Sequence, residues 1–189
     1  MKSSRWVGFL FSIAVALALF PVGGDAGAKG KSTLRLQSKS FADGKEIPEK
    51  YTCHGQNISP ELNWKGAPSK TKCFALIVED PDAPQMNFTH WVVFNIPLIA
   101  DPNTNAFELV EGFPRDAKSD KGILQGANDF QKIGYDGPCP PTGEHRYYFK
   151  LYALDGFLHL GGGALKSQLQ KAMKGHILAQ TQIMGLYGK

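Results

Sequence analysis

Two stretches of the chain set titratable side chains beside turn-forming loops. One runs Asp80-Pro-Asp-Ala-Pro and on to His90-Trp-Val-Val-Phe-Asn-Ile-Pro97; the other is Gly137-Pro-Cys-Pro-Pro-Thr-Gly-Glu-His-Arg-Tyr147. Asp80, His90 and His145 supply a carboxylate and two imidazoles, and Tyr147 adds a phenol two residues beyond His145. A carboxylate beside a histidine fixes the ring's tautomer and favours its protonated form, which leaves an N–H to aim at an anion. Phosphate or carboxylate groups suit such a constellation. Gly137, Pro138 and the residues up to Pro141 would form a stiff backbone wall, with the Cys139 N–H as a further donor.

These residues need strands to bring them together. Thr33–Gln37, Lys72–Asp80, His90–Ile96, Arg146–Leu154 and His176–Leu186 are rich in β-branched, aromatic or alternating apolar residues and read as strands. In the second, Phe74, Leu76 and Val78 share a face whose next member is Asp80. In the third, alternation predicts a face of His90, Val92, Phe94 and Ile96, and in the fourth His145 leads a face of Tyr147, Phe149, Leu151 and Ala153. Each apolar face thus ends in a polar residue. If the second and third strands form a hairpin, Asp80 and His90 share a sheet edge, and an antiparallel fourth strand delivers His145 to the same rim with Tyr147 one layer deeper. Asp82 is read as a turn residue bonding nearby backbone N–H groups, and Arg146, on the opposite face from His145, as a scaffold ion-pair partner.

The helical signal lies in Ala164–Lys174, where Leu165, Leu169, Ala172 and Met173 recur at helical spacing and Gly175 is placed to end the helix. Many strands without regular βαβ alternation predict a mainly β protein, an antiparallel sandwich with one or two peripheral helices.

Composition narrows the function class. Residues 1–28 read as a cleaved secretory signal peptide: Lys2 and Arg5 precede an apolar run from Trp6 to Val22, and Ala26-Gly27-Ala28 supplies small residues for cleavage. Its apolar core is shorter than the ~20 residues of a membrane span. The remaining chain, 29–189, is the size of a single domain, exported and therefore periplasmic or secreted. Removing Lys2, Arg5 and Asp25 takes the formal charge from +4 to +3, with no basic cluster, which argues against nucleic acid and leaves at most peripheral membrane contact. Three cysteines in an exported chain permit one disulfide and leave at least one other thiol. Cys73, inside an apolar strand, reads as buried and unreactive. Cys53 and Cys139, both in Gly/Pro/Asn-rich loops, are the candidate pair, although spacing alone leaves both open as thiols.

Together the motifs resemble the phosphatidylethanolamine-binding protein family, in particular its bacterial Raf-kinase-inhibitor-like branch. The similarity extends to Tyr51-Thr-Cys-His-Gly-Gln-Asn-Ile-Ser-Pro60 with Leu62 and Trp64, to Gln125-Gly-Ala-Asn-Asp129 and to Gly175-His-Ile-Leu. The resemblance implies a Greek-key β-sandwich with a small pocket for phosphate-like groups, including phospholipid headgroups. Asp80, His90, His145 and Tyr147 match the family's pocket residues, Gly137–Pro141 its wall, and Phe88 an apolar lip. The longer C-terminal helix of animal members is missing.

The first reading is therefore a non-catalytic binding protein for a small phosphorylated or carboxylate anion, with no cofactor, and with modulation of a partner enzyme as an accompanying role. Three others compete with it. A hydrolase would use Cys139 and His145 as thiolate and base, or Ser59, although none of these lies in a recognised nucleophile motif. A zinc site would use Asp80, His90 and His145, whose spacing is unlike a compact metal motif. A protease or kinase inhibitor would act through a protein surface, with Asp101–Lys121 as its recognition segment.

Overall fold

The computed structural model describes Met1 and residues 33–84, 87–101 and 106–188, so the leader expected over 1–28 lies outside the described residues. The compact unit described here lies within Lys31–Lys189.

Runs of alternating apolar residues become two sheets. Strands β1 (Arg35–Gln37), β3 (Leu62–Lys65) and β6 (Phe107–Leu109) pair antiparallel in the order β1-β3-β6. The larger sheet contains β2 (Lys45–Glu46), β4 (Cys73–Asp80), β5 (Phe88–Pro97), β7 (Leu124–Gln125), β8 (Glu144–Leu154) and β9 (Ile177–Gly188), ordered β2-β9-β8-β4-β5-β7. All its pairs are antiparallel except β2 with β9, which departs from a wholly antiparallel sandwich. The pairing is open to β2 because it arrives by a long connection rather than a tight hairpin. Strands β2, β3, β6 and β7, each four residues or fewer, carry too little periodicity to stand out in the sequence.

Because β4 and β5 present apolar residues on both faces, two cores form. Between the sheets, Leu36, Leu62 and Trp64 pack against Phe74, Leu76, Val78, Tyr147, Phe149 and Leu151. On the outer face, Cys73, Ala75, Ile77, Val92 and Phe94 pack with Leu169 and Met173 of helix α1 (Lys166–Met173). The helix is two residues shorter at its start and one at its end than the sequence pattern predicts. Gln168 accepts the Leu165 N–H at 2.9 Å at its first turn, and Gly175, at φ 88°, turns the chain away after Lys174.

The expected face of β5 needs correction. Val92 and Phe94 lie in the outer core, whereas Trp91, Val93 and Ile96 lie between the sheets. Two β-bulges cause this: Val78 pairs with Trp91 but Glu79 with Thr89, leaving His90 as an extra residue, and Phe74 pairs with Ile96 but Leu76 with Val93. An extra residue reverses the parity of everything beyond it. Asn95 takes the left-handed conformation (φ 56°) at the second bulge, and its side chain bonds both the N–H and the carbonyl of Leu158.

Candidate functional site

Strand order places the site. With β4 between β5 and β8 and antiparallel to both, the end of β4 meets the starts of β5 and β8 at one rim. Asp80 closes β4, and Phe88 and His90 open β5. His145 and Tyr147 open β8.

All four polar side chains are nearly enclosed: Asp80 and His90 are 3% exposed, Tyr147 1% and His145 8%. His145 Nδ1 lies 2.7 Å from Asp80 Oδ2, while Asp80 Oδ1 accepts the Asp82 N–H at 2.8 Å. Both carboxylate oxygens are thereby committed, and Nε2 is the His145 nitrogen left to meet a ligand. His90 Nδ1 lies 2.8 Å from the Asp136 carbonyl oxygen, which can only accept, so the proton sits on Nδ1 and Nε2 is again the remaining nitrogen. Burial lowers the His90 pKa, opposed by the bond to Asp136 and the charge of Asp80. The neutral ring stacks edge-on to Tyr147 with centroids 5.2 Å apart.

The Tyr147 hydroxyl is buried and has no hydrogen-bond partner among the described residues. Burial above all, and then the negative charge of Asp80, raises its pKa, and the Cys139 N–H acts in the opposite sense. A neutral phenol and a backbone amide thus lie close together beside Asp80 and two imidazole nitrogens.

The wall is built as a brace between two loops. Cys53 and Cys139 are joined by a disulfide whose Cα atoms are 5.4 Å apart, and the Cys53 N–H donates to the Pro138 carbonyl at 3.0 Å. The Tyr135 hydroxyl donates to the Tyr51 carbonyl at 2.8 Å. Gly137 lies so close to this partner that a Cβ on it would come 2.1 Å from the Tyr51 oxygen. With its sulfur in the disulfide, Cys139 has no thiolate to offer, which corrects the thiolate-base arrangement with His145. Cys73 is the free, buried thiol among the described residues, and burial pushes it up to about 11.

Asp82 and Arg146 sit outside the cluster. Asp82 accepts from the Arg146 guanidinium at 2.7 and 2.9 Å and from its backbone N–H at 2.9 Å. That guanidinium holds the Asp82 carboxyl well below its usual range, at about 2. The nearby-backbone bond expected of Asp82 is made instead by Asp80. Among the described residues no three His, Cys, Asp or Glu side chains are grouped to hold a metal ion. Asp80 and His145 are paired with each other, and His90 Nδ1 with the Asp136 carbonyl.

Two residues at the rim escaped the sequence reading. Phe130 packs edge-on to Phe88 at 4.8 Å and to His90 at 5.5 Å, forming a two-ring lip. An apolar residue in a polar turn was its only signal. Tyr187 of β9 lies opposite His145 in register and shares a 2.9 Å hydrogen bond with His54 Nδ1. The His54 contact bridges 133 residues and leaves no local trace in the sequence. A separate cleft of about 480 Å³ opens between Ile96, Phe107, Phe113 and Ile123, within reach of the 101–121 segment. It contains none of the converging polar side chains.

The sequence matches the family described as phosphatidylethanolamine-binding protein over residues 37–188. A UPF0098 protein of Methanothermobacter thermautotrophicus is 47% identical over 154 residues, spanning 82% of this chain and 98% of its own. Another UPF0098 protein, from Aquifex aeolicus, is 45% identical and spans 94% and 98%. Among solved structures, the phosphatidylethanolamine-binding protein homologue CT736 of Chlamydia trachomatis superposes with a TM-score of 0.72 at 40% identity, covering 84% of this chain and 99% of that one. Escherichia coli YbcL, described as a member of the mammalian family, gives 0.72 at 30% identity, covering 82% and 98%.

Proposed function

The chain belongs to the phosphatidylethanolamine-binding protein family, and from that membership we propose that it is a non-catalytic binding protein whose rim pocket takes a phosphate-like group, free or as a phospholipid headgroup. The observation that carries this reading is the buried Tyr147 hydroxyl without a partner, set beside Asp80 and the Cys139 N–H. A buried polar group is ordinarily satisfied, and an anion oxygen would satisfy this one. The lining offers the Tyr147 hydroxyl and the neighbouring Cys139 N–H as donors, and Nε2 of the neutral His90 ring as an acceptor. A ligand that carries both kinds of group, such as hydrogen phosphate or phosphoethanolamine, matches that lining. His145, held by Asp80 through Nδ1, donates from Nε2 when it is an imidazolium.

Export to a periplasmic or extracellular space belongs to the same reading. It rests on the leader pattern of residues 1–28, and the Cys53–Cys139 disulfide suits an oxidising compartment. Mass determination of the N-terminus of secreted protein, expected near Lys29, checks it.

Titration with inorganic phosphate and with phosphoethanolamine, followed by NMR, tests the pocket. Resonances of Asp80, His90, Cys139, His145 and Tyr147 are expected to shift. Tyr147→Phe is expected to weaken binding about fivefold, equivalent to about 1 kcal/mol for one hydrogen bond. No response to either compound up to millimolar concentration would sink the reading.

A further inference from the structure

Asp136 stands behind the pocket and touches it only through its main chain. Its N–H donates to the His90 carbonyl at 3.0 Å, and its own carbonyl accepts from His90 Nδ1 at 2.8 Å. These two bonds take the bulge residue out of the β4–β5 ladder and fix both its backbone and its ring. What fixes Asp136 is its side chain. The carboxylate is 4% exposed; Oδ1 accepts from Asn57 Nδ2 at 2.9 Å and from Arg115 at 3.4 Å, and lies 3.6 Å from Lys132 Nζ, while Oδ2 accepts from Asn128 Nδ2 at 3.0 Å.

Asn57 closes the arrangement. Its Nδ2 grips the Asp136 carboxylate, and its Oδ1 accepts the Gly137 N–H at 2.7 Å, so one amide group spans both sides of the Asp136–Gly137 peptide. Asn57 itself stands at φ 55°, a left-handed conformation that asparagine tolerates better than most residues. Its carbonyl takes Arg115 Nη2 at 2.5 Å, which secures the same corner from outside. The peptide so held is the one that orients His90, and it leads directly into Pro138 and Cys139.

We propose that Asn57 and Asp136 are the positioning residues of the pocket: their paired side chains hold the Asp136–Gly137 peptide, and through it the His90 ring and the wall that carries the Cys139 N–H. The ligand consequence rests on the anion-binding reading above, but the orientation of His90 does not. Loose placement of a donor or acceptor by a fraction of an ångström is enough to lose much of a small ligand's affinity, so these two residues act without touching the ligand.

Asn57→Gly is the clean variant, because glycine keeps the left-handed backbone while removing both amide bonds. In full-length protein, the His90 ring nitrogen resonances and the Gly137 amide are expected to move without ligand. The affinity for inorganic phosphate is expected to fall about tenfold while the amide spectrum of β4 and β8 is retained. Asp136→Asn should move the same His90 signals, since it sets an amide donor against Asn57 and Asn128. Should Asn57→Gly fail to fold, Asn57→Asp keeps the acceptor for the Gly137 N–H, so the His90 signals are expected to move while the Gly137 amide stays. His90 resonances and phosphate affinity unchanged in folded variants would overturn the proposal. Wild-type protein that ignores phosphate would instead defeat the anion reading, and the His90 signals would still decide the positioning role.

Discussion

Burial favours the neutral form of a histidine even when the ring donates to a backbone carbonyl, and His90 is such a residue. Its folded-state pKa lies below the ordinary 6.5, with burial as the main cause. As pH falls, the unfolded chain therefore takes up this proton first. The stability that depends on a neutral His90 is expected to be complete above about pH 6.5 and to be lost as pH falls from there through the folded-state pKa. The slope from one such group is at most about 1.4 kcal/mol per pH unit. His90→Asn retains an N–H for the Asp136 carbonyl and cannot titrate there, so urea unfolding between pH 7.5 and 5.5 should show a flatter dependence than wild type. An equal slope in both proteins would show that the acid sensitivity originates elsewhere. Residue types and loop junctions made Asp80, His90, His145 and Tyr147 legible in the sequence. Asn57 and Asp136 were not, because an asparagine in a Gly-Gln-Asn turn and an aspartate before a glycine look like ordinary turn residues until the chain folds across the separation of 79 positions between them.

At the level of elements, strand periodicity located β4 and β8 well because both run without a register break at the site end of their pairing. It misread β5 because a bulge has no periodic signature: one inserted residue at His90 and a shift near Asn95 reverse the faces while the composition stays the same. His90 reaches the Asp80 rim through that bulge rather than by alternation. The wall beside it is equally dependent on close approach. Gly137→Ala would put a methyl group against the Tyr51 carbonyl and the Thr52 Cα. We expect it to cost about 1–3 kcal/mol, as overpacking of a closed site does. It should also displace the Cys139 amide, measurable as a lowered urea midpoint together with a weakened phosphate response. An unchanged midpoint would mean that the 51–57 brace yields easily.

For the whole molecule, the Cys53–Cys139 bond ties together segments 86 residues apart, one before β3 and the other before β8. Closing a loop of that length stabilises the folded state by about 4.6 kcal/mol in the chain-entropy view. Reduction, or Cys53→Ser with Cys139→Ser, is expected to lower the unfolding free energy by roughly that amount. Alkylation offers a direct check on the thiol assignment: native protein should take up no label, denatured protein one at Cys73, and reduced and denatured protein three. Two or more labels without reductant would contradict the bridge. The sequence by itself determined what local chemistry can determine: the mainly β class from alternation, the residue types that gather at the β4–β5–β8 rim from loop-strand junctions, and the family from motifs in order. Only the tertiary structure decided which groups face one another. The parallel β2–β9 pair, the parity of β5, the Asn57–Asp136 clasp and the Phe88–Phe130 lip all depend on contacts between distant segments, and such contacts are selected by packing and hydrogen-bond closure rather than by any local pattern of residues.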